Sequence, residues 1–439
     1  MEWSYDSGLQ LLNKINAAVS IPANVSSNTL ADLINSVSSF TNSVEIIKTP
    51  STVEQVYSNE LIRSLKNKSN HLSASSSSLT DFSINDLFKF SGVPLNYLVN
   101  LPSWFNSVRP SVESLINSDV VSSLQFSNHL ILEDRKKEVA SIELSRYFKF
   151  LNSNLKKYSI WGDNFEGTSF DVSLLDSPFH SPLTNSIVFP LNDLVSLDRV
   201  GSNDLVFNRA NFFHYFSYEL GHALMFNASF SNKELPTFLR DNPIRSGFNY
   251  SSSLKESVAD FYSHQLFDVI DSSSRFKRKL GLSSDDLAYV KNYSFEKDLL
   301  NKYRTNFLSF AFYVASDYFV SSDEEKKKLL DSFAIPGFTF DYSLDLLRND
   351  FVAYLGVSTV ELDNSLSLDQ FKETSLDLRR SLLSYLPYVA TPVQDLYSKV
   401  MANDSCDLSE LEFHDFVLSS GYLSVDGFNE LSNVLLFNK

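Results

Sequence analysis

The chain has 439 residues and carries 37 basic against 53 acidic side chains, a formal net charge of −16. A field of that sign repels phosphate backbones and anionic lipid, which predicts that neither nucleic acid nor a membrane surface is its partner. Hydrophobic residues make up 43% and aromatic residues 14%, a composition that excludes a disordered chain and allows a large buried core.

Met1–Asp6 has neither the basic nor the apolar region of a secretory leader, so an intracellular or virion-associated location is expected. Residues 1–72 read as a helical arm. Leu30, Leu33, Ile34, Val37 and Phe40 share one helical face, and Ser51-Thr52-Val53-Glu54 has capping-box spacing at the start of a helix running toward Leu65. The serine run Ser73–Ser78 predicts a linker. A second helical lobe is expected over 82–160. Ser83-Ile84-Asn85-Asp86 caps its first helix, Pro94, Pro102 and Pro110 punctuate the next region, and Leu132–Tyr158 forms one long helix.

The periodicity changes over 161–275, where the core is expected. Ser186-Ile187-Val188-Phe189-Pro190 is a β-rich run stopped by proline, which suits an edge strand. Asp204–Phe226 and Leu254–Ile270 then return to helical spacing. Residues 276–439 read as a C-terminal helical lobe, with a helix over Ser294–Phe319 and another opened by Ser322-Asp323-Glu324-Glu325. The most apolar stretch, Phe307–Val320, is short and carries Ser309, Ser316 and Asp317, so it predicts a core helix and no membrane span. The single cysteine, Cys406, excludes an intramolecular disulfide. Around Gly421 the early aspartates of a calcium loop are missing and Gly427 stands where its bidentate glutamate belongs, which predicts a helix–turn–helix without calcium. The expected class is α+β, predominantly α-helical.

Two of these helices carry polar stripes. His214, Tyr218 and His222 are spaced by four on the first; Glu256, Asp260 and His264 repeat that spacing on the second. Polar stripes inside aromatic-rich helices imply a buried seam, tolerated only where its groups pair with one another or bind a metal. His71, His129 and His414 stand apart from any carboxylate group and read as ordinary core or surface residues.

Tyr218-Glu219-Leu220-Gly221-His222 matches the zinc-protease pattern His-Glu-x-x-His except for a tyrosine at the first position. With Asn185-Ser186-Ile187-Val188-Phe189-Pro190 before it and Glu256-Ser257-Val258-Ala259-Asp260 after it, the stretch resembles gluzincin metallopeptidases. It is most similar to the neprilysin type, whose pattern runs N-x-I-x-F-P, H-E-x-x-H, E-x-x-A-D. The interval from His222 to Glu256 is shorter than in a neprilysin, so lethal-factor-type and oligopeptidase-type gluzincins stay open as relatives. The resemblance implies a zincin-like core, a small sheet with an edge strand plus two active-site helices, flanked by helical lobes. It also implies that Glu219 is the catalytic base, His222 and Glu256 are zinc ligands, and Asp260 is the outer partner of a ligand, with Tyr218 in place of the missing histidine.

In an intact member zinc lowers the pKa of a bound water while the glutamate takes its proton. Tyr218 predicts the loss of that metal, leaving no cofactor. In its stead a hydrogen-bonded cluster is expected, in which Tyr218 donates to Asp260 and His222 pairs with Glu256. Such a chain would be an inactive metallopeptidase-like protein with a structural or binding role, acting on a protein partner or within an assembly such as a virion. The alternative is an active zinc peptidase with an unusual ligand set and Glu219 as base. Its third ligand would be Tyr218 as phenolate, against an ordinary pKa of about 10; His214, about 12 Å from His222 along the helix axis; or His180 or His264 from elsewhere.

Overall fold

The computed structural model describes residues 5–20, 27–76, 93–116, 133–155, 165, 167–175, 177–197, 204–240, 252–315, 322–335, 386–402 and 408–437. The Ser83–Asp86 cap, His129 and Cys406 lie outside them. The protein is predominantly α-helical with a small mixed sheet.

Helices α1 (Tyr5–Ser20), α2 (Ser27–Asn42) and α3 (Val53–Ser76) pack on one another through Leu12, Ile15, Val37, Phe40, Leu61 and Leu65. The cap of α3 falls one residue later than its spacing suggests. Thr52 Oγ1 accepts from the Gln55 N–H, while the Gln55 side chain accepts from the Ser51 N–H. Ser73–Ser76, expected as linker, continue α3 as helix.

Helix α4 (Leu95–Ile116) runs through Pro102 and Pro110, where the sequence suggested breaks. Phe105 is fully buried in this helix and meets Tyr303, Phe307, Phe310 and Phe333 at ring-centroid distances of 5.1–6.2 Å. Burying such a ring contributes about 1.5–3 kcal/mol and each aromatic pair about 0.5–1.5 kcal/mol more, enough to offset a lost helical hydrogen bond.

Helix α5 (Glu133–Leu155) matches the long helix expected there and leads into the sheet. Strands β1 (Ser169–Ser173), β2 (Phe179–Ser181) and β3 (Ser186–Pro190) are ordered β1-β3-β2, with β3 parallel to β1 and antiparallel to β2. The segment expected at the edge is therefore the middle strand, buried along its whole length. Pro190 is tolerated because it ends the strand, where a missing N–H disturbs little of the ladder. Strands β4 (Val195–Leu197) and β5 (Leu205–Phe207) pair antiparallel. Thus Leu205–Phe207 is strand, and the helix expected from Asp204 begins only after Asn208, whose side chain accepts from the Asn211 N–H.

Helix α6 (Arg209–Ser231) is buried on nearly all sides and crosses α7 (Ser252–Asp271) at very close range. A Cβ added to Gly221 would lie 2.6 Å from Ala259 Cα, so only glycine permits this approach. Then follow α8 (Ser274–Leu280), α9 (Ser284–Ala315), α10 (Asp323–Phe333, capped by Ser322), α11 (Pro392–Ala402), α12 (Glu410–Ser419) and α13 (Val425–Ser432). The α12–α13 connection turns at Gly421, with φ of 77°, in agreement with the expected helix–turn–helix. The largest apolar cluster joins α5, β3, α6, α7 and α12 through Tyr147, Phe189, Phe212, Phe216, Tyr262 and Phe413, among others. Among the described residues no helix is long and apolar enough to cross a membrane.

Candidate functional site

The polar stripes of α6 and α7 face each other, and α9 closes the seam from a third side. Between them lies a cleft of about 510 Å³, whose lining includes Tyr218, Glu219, Glu256, Asp260, Asp298 and Lys302. Tyr218 precedes Gly221 by three residues and Glu256 precedes Ala259 by three, so phenol and carboxylate meet one turn from the helix crossing.

The Tyr218 hydroxyl donates to Glu256 Oε2 at 2.8 Å. His222 Nε2 lies 3.3 Å from the same oxygen, and Lys255 Nζ lies 3.5 Å from Glu256 Oε1. The His222–Glu256 pair agrees with expectation. The Tyr218–Asp260 bond does not form: the axial offset set by the Gly221–Ala259 contact brings Glu256, one turn before Asp260, to the phenol. Asp260 is held instead by Gln394, whose Nε2 donates to Oδ2 at 2.5 Å, and by an ion pair with Lys302.

The electrostatics follow from burial and these partners. Burial raises the Tyr218 pKa well above 10.0 and the Glu256 charge reinforces it, so the phenol keeps its proton. Burial also works against ionised Glu256, but Lys255, His222 and the hydrogen bonds from His222 and Tyr218 prevail and hold its carboxyl at about 2. Glu219 is pushed up, chiefly by burial and further by Glu256, although His222, Lys255 and the backbone N–H of His180 favour its charged form. Among the described residues, Glu219 Oε2 and His222 Nδ1 are buried without a hydrogen-bond partner.

His214 lines the cleft at its far end. Its Nδ1 lies 3.3 Å from Ser294 Oγ and 3.5 Å from Asp298 Oδ1, and burial, aided by Lys297, lowers its pKa to about 3. Asp298 is raised to about 7 by burial and then by Asp260, against Lys302 and Lys297. His264 is not part of the cleft lining; its ring packs on Phe295 with centroids 4.8 Å apart. His180, on β2, directs Nε2 to Asn185 Oδ1 at 3.1 Å. Asn185 donates on to Asn227, and Asn227 to Thr168, tying the sheet to α6. His414 has a carboxylate nearby after all: Nε2 lies 3.8 Å from Glu410 Oε1, while Nδ1 lies 2.8 Å from the Tyr262 hydroxyl.

Lys255, Asp298, Lys302 and Gln394 escaped the sequence reading. The Asp298–Lys302 spacing of four was a visible signal that α9 presents both on one face.

Zinc needs at least three protein ligands and an open position for catalysis. His222 and Glu256 provide two. At the third position stands a phenol that retains its proton and donates it to Glu256. Among the described residues no three His, Cys, Asp or Glu side chains are grouped so as to hold a metal ion. The donor set as arranged does not fit zinc.

Comparison with known protein families, with characterised proteins and with solved structures finds no match to this chain. The gluzincin reading therefore rests on its three motifs and on the paired helices that carry two of them.

Proposed function

We propose that the chain is a metallopeptidase-like protein of gluzincin type without catalytic activity, serving a structural or binding role in a protein assembly such as a virion. The observation that supports this reading best is the Tyr218–Glu256 hydrogen bond. It places a proton donor where a metal ligand would be needed and takes up a carboxylate oxygen that would face the metal. Glu219 then has no activated water to deprotonate. Hydrogen bonds and an ion pair engage Glu256 and Asp260 without a metal ion.

One observation favours the alternative, an active zinc peptidase with a non-standard ligand set. Glu219 lines the cleft with a raised pKa and an unpartnered oxygen, as a general base would. Peptide cleavage separates the two. The proposal expects no hydrolysis of an unstructured peptide pool above the background of the Glu219→Gln variant, with or without added zinc. Zinc-dependent cleavage abolished by Glu219→Gln would establish the alternative.

A further inference from the structure

Four carboxyls line the cleft, Glu219, Glu256, Asp260 and Asp298, against two cations, Lys302 and Arg304. Glu256 is compensated by Lys255, His222 and Tyr218, and Asp260 by Lys302 and Gln394. Two further carboxyls, Glu219 and Asp298, line the same cleft without a salt-bridged Lys or Arg of their own among the described residues. Lys255 acts on Glu219, and Lys302 and Lys297 on Asp298, only through longer-range attraction, and His214, 3.5 Å from Asp298, is held neutral by burial. Glu219 is only 5% exposed, and its Oε2 has no partner. A buried acceptor left unpaired costs about 1–3 kcal/mol, and more when charged. Such a cost is removed when a bound donor reaches the oxygen, and the broad terminal torsion of a glutamate lets the carboxyl turn to meet it. Tyr215, Tyr218 and Tyr388 add aromatic surface to the lining, and ring faces attract cations. The cleft volume of about 510 Å³ suits a ligand of small-molecule size or a short side-chain segment.

We infer that this cleft binds an organic cation, an alkylammonium or guanidinium group on a flexible chain, with Glu219 as its principal anchor and Asp298 as a second. This inference rests on the binding role proposed above and names the chemistry of the group the cleft takes. The same chemistry is offered by a lysine or arginine side chain of a partner peptide and by a free polyamine.

The test uses the full chain, with its metal content measured beforehand. Fluorescently labelled Lys-rich and Glu-rich hexapeptides of equal length are titrated against it, and spermidine is used as competitor. The expected result is binding of the Lys-rich peptide and none of the Glu-rich one, with affinity lowered about tenfold or more by Glu219→Gln and also lowered by Asp298→Asn. A peptide displaced only at large spermidine excess indicates a peptide side chain as the source; displacement at matched concentration indicates a free polyamine. Either supports the site. Because the whole chain carries a net charge of −16, equal binding to wild type and both variants would mean general electrostatic attraction and would overturn the inference. Absence of Lys-rich binding to metal-free protein would overturn it too, leaving the metal-free reading intact. Stoichiometric metal in the starting protein would instead defeat that reading itself. Matching circular dichroism and melting curves identify folded variants; should one variant fail to fold, the other decides the outcome, and unchanged affinity for the Lys-rich peptide in it would overturn the inference.

Discussion

Gly221 of α6 and Ala259 of α7 leave no room between them for a single methyl group. This contact sets the axial offset of the two helices and thereby decides which carboxylate of α7 meets the phenol of α6. Gly221→Ala tests it. Helix propensity alone favours alanine by about 0.8–1 kcal/mol. Overpacking against backbone costs about 1–3 kcal/mol, and backbone cannot step aside as a side-chain tip can. The expected result is net destabilisation in urea unfolding, together with disturbance of the Tyr218–Glu256 pair; a variant more stable than wild type would contradict the crossing.

Tyr218→Phe removes one donor from a buried carboxylate and leaves the ring. Hydrogen bonds to charged groups contribute about 1.5–3 kcal/mol, and a loss of that size is expected in denaturant unfolding near neutral pH. The folded Glu256 pKa, about 2, lies below its ordinary 4.5. Its contribution is therefore present above pH 4.5 and disappears as pH falls toward 2. Without the phenol donor the folded pKa rises, so acid unfolding should begin at a higher pH in the variant. An unchanged acid limb would show that Tyr218 does not stabilise the carboxylate.

The helices were legible in the sequence and their partners less so. The 3.6-residue spacing marked Leu254–Ile270, and the helix found is Ser252–Asp271. The β character of Ser186–Pro190 was equally plain, but its central place was not. It depends on pairing with Ser169–Ser173, whose strict alternation of Phe170 and Val172 with polar residues was a readable strand signal, although a short one. Leu205–Phe207 disappeared into a neighbouring helical pattern, although Asn208 before Arg209 was a readable start signal. Within the site, residue spacing identified both stripes and the seam. It could not choose between Glu256 and Asp260 for Tyr218, since residues four apart share a face and only the glycine contact fixes the offset. Lys302 and Gln394 come from distant parts of the chain, and no local pattern ties them to Asp260.

Asp260→Ala leaves Lys302 and Gln394 without their shared acceptor, while the Tyr218 bond to Glu256 persists. A loss of about 1–3 kcal/mol is expected. Combined with Lys302→Met, the penalty should be smaller than the sum of the two single changes, because the pair is coupled. Strict additivity would mean that the two side chains do not interact.

Asp298 provides a pH signature of opposite sign to that of Glu256. Its folded pKa, about 7, lies above the ordinary 3.8, so it holds its proton more tightly in the folded state. Its contribution is present below pH 3.8 and is lost as pH rises through 7. Asp298→Asn removes the ionisation, so the variant should gain in melting temperature relative to wild type as pH is raised from 5 to 8. A difference independent of pH would show that Asp298 ionises normally.

The most direct measurement is the zinc content of the wild-type chain after equilibration with zinc and removal of free ion. With Tyr218 donating to Glu256, the metal should remain far below one per chain and should not change in His222→Ala. One tightly held zinc per chain, lost in both His222→Ala and Glu256→Ala, would contradict the account.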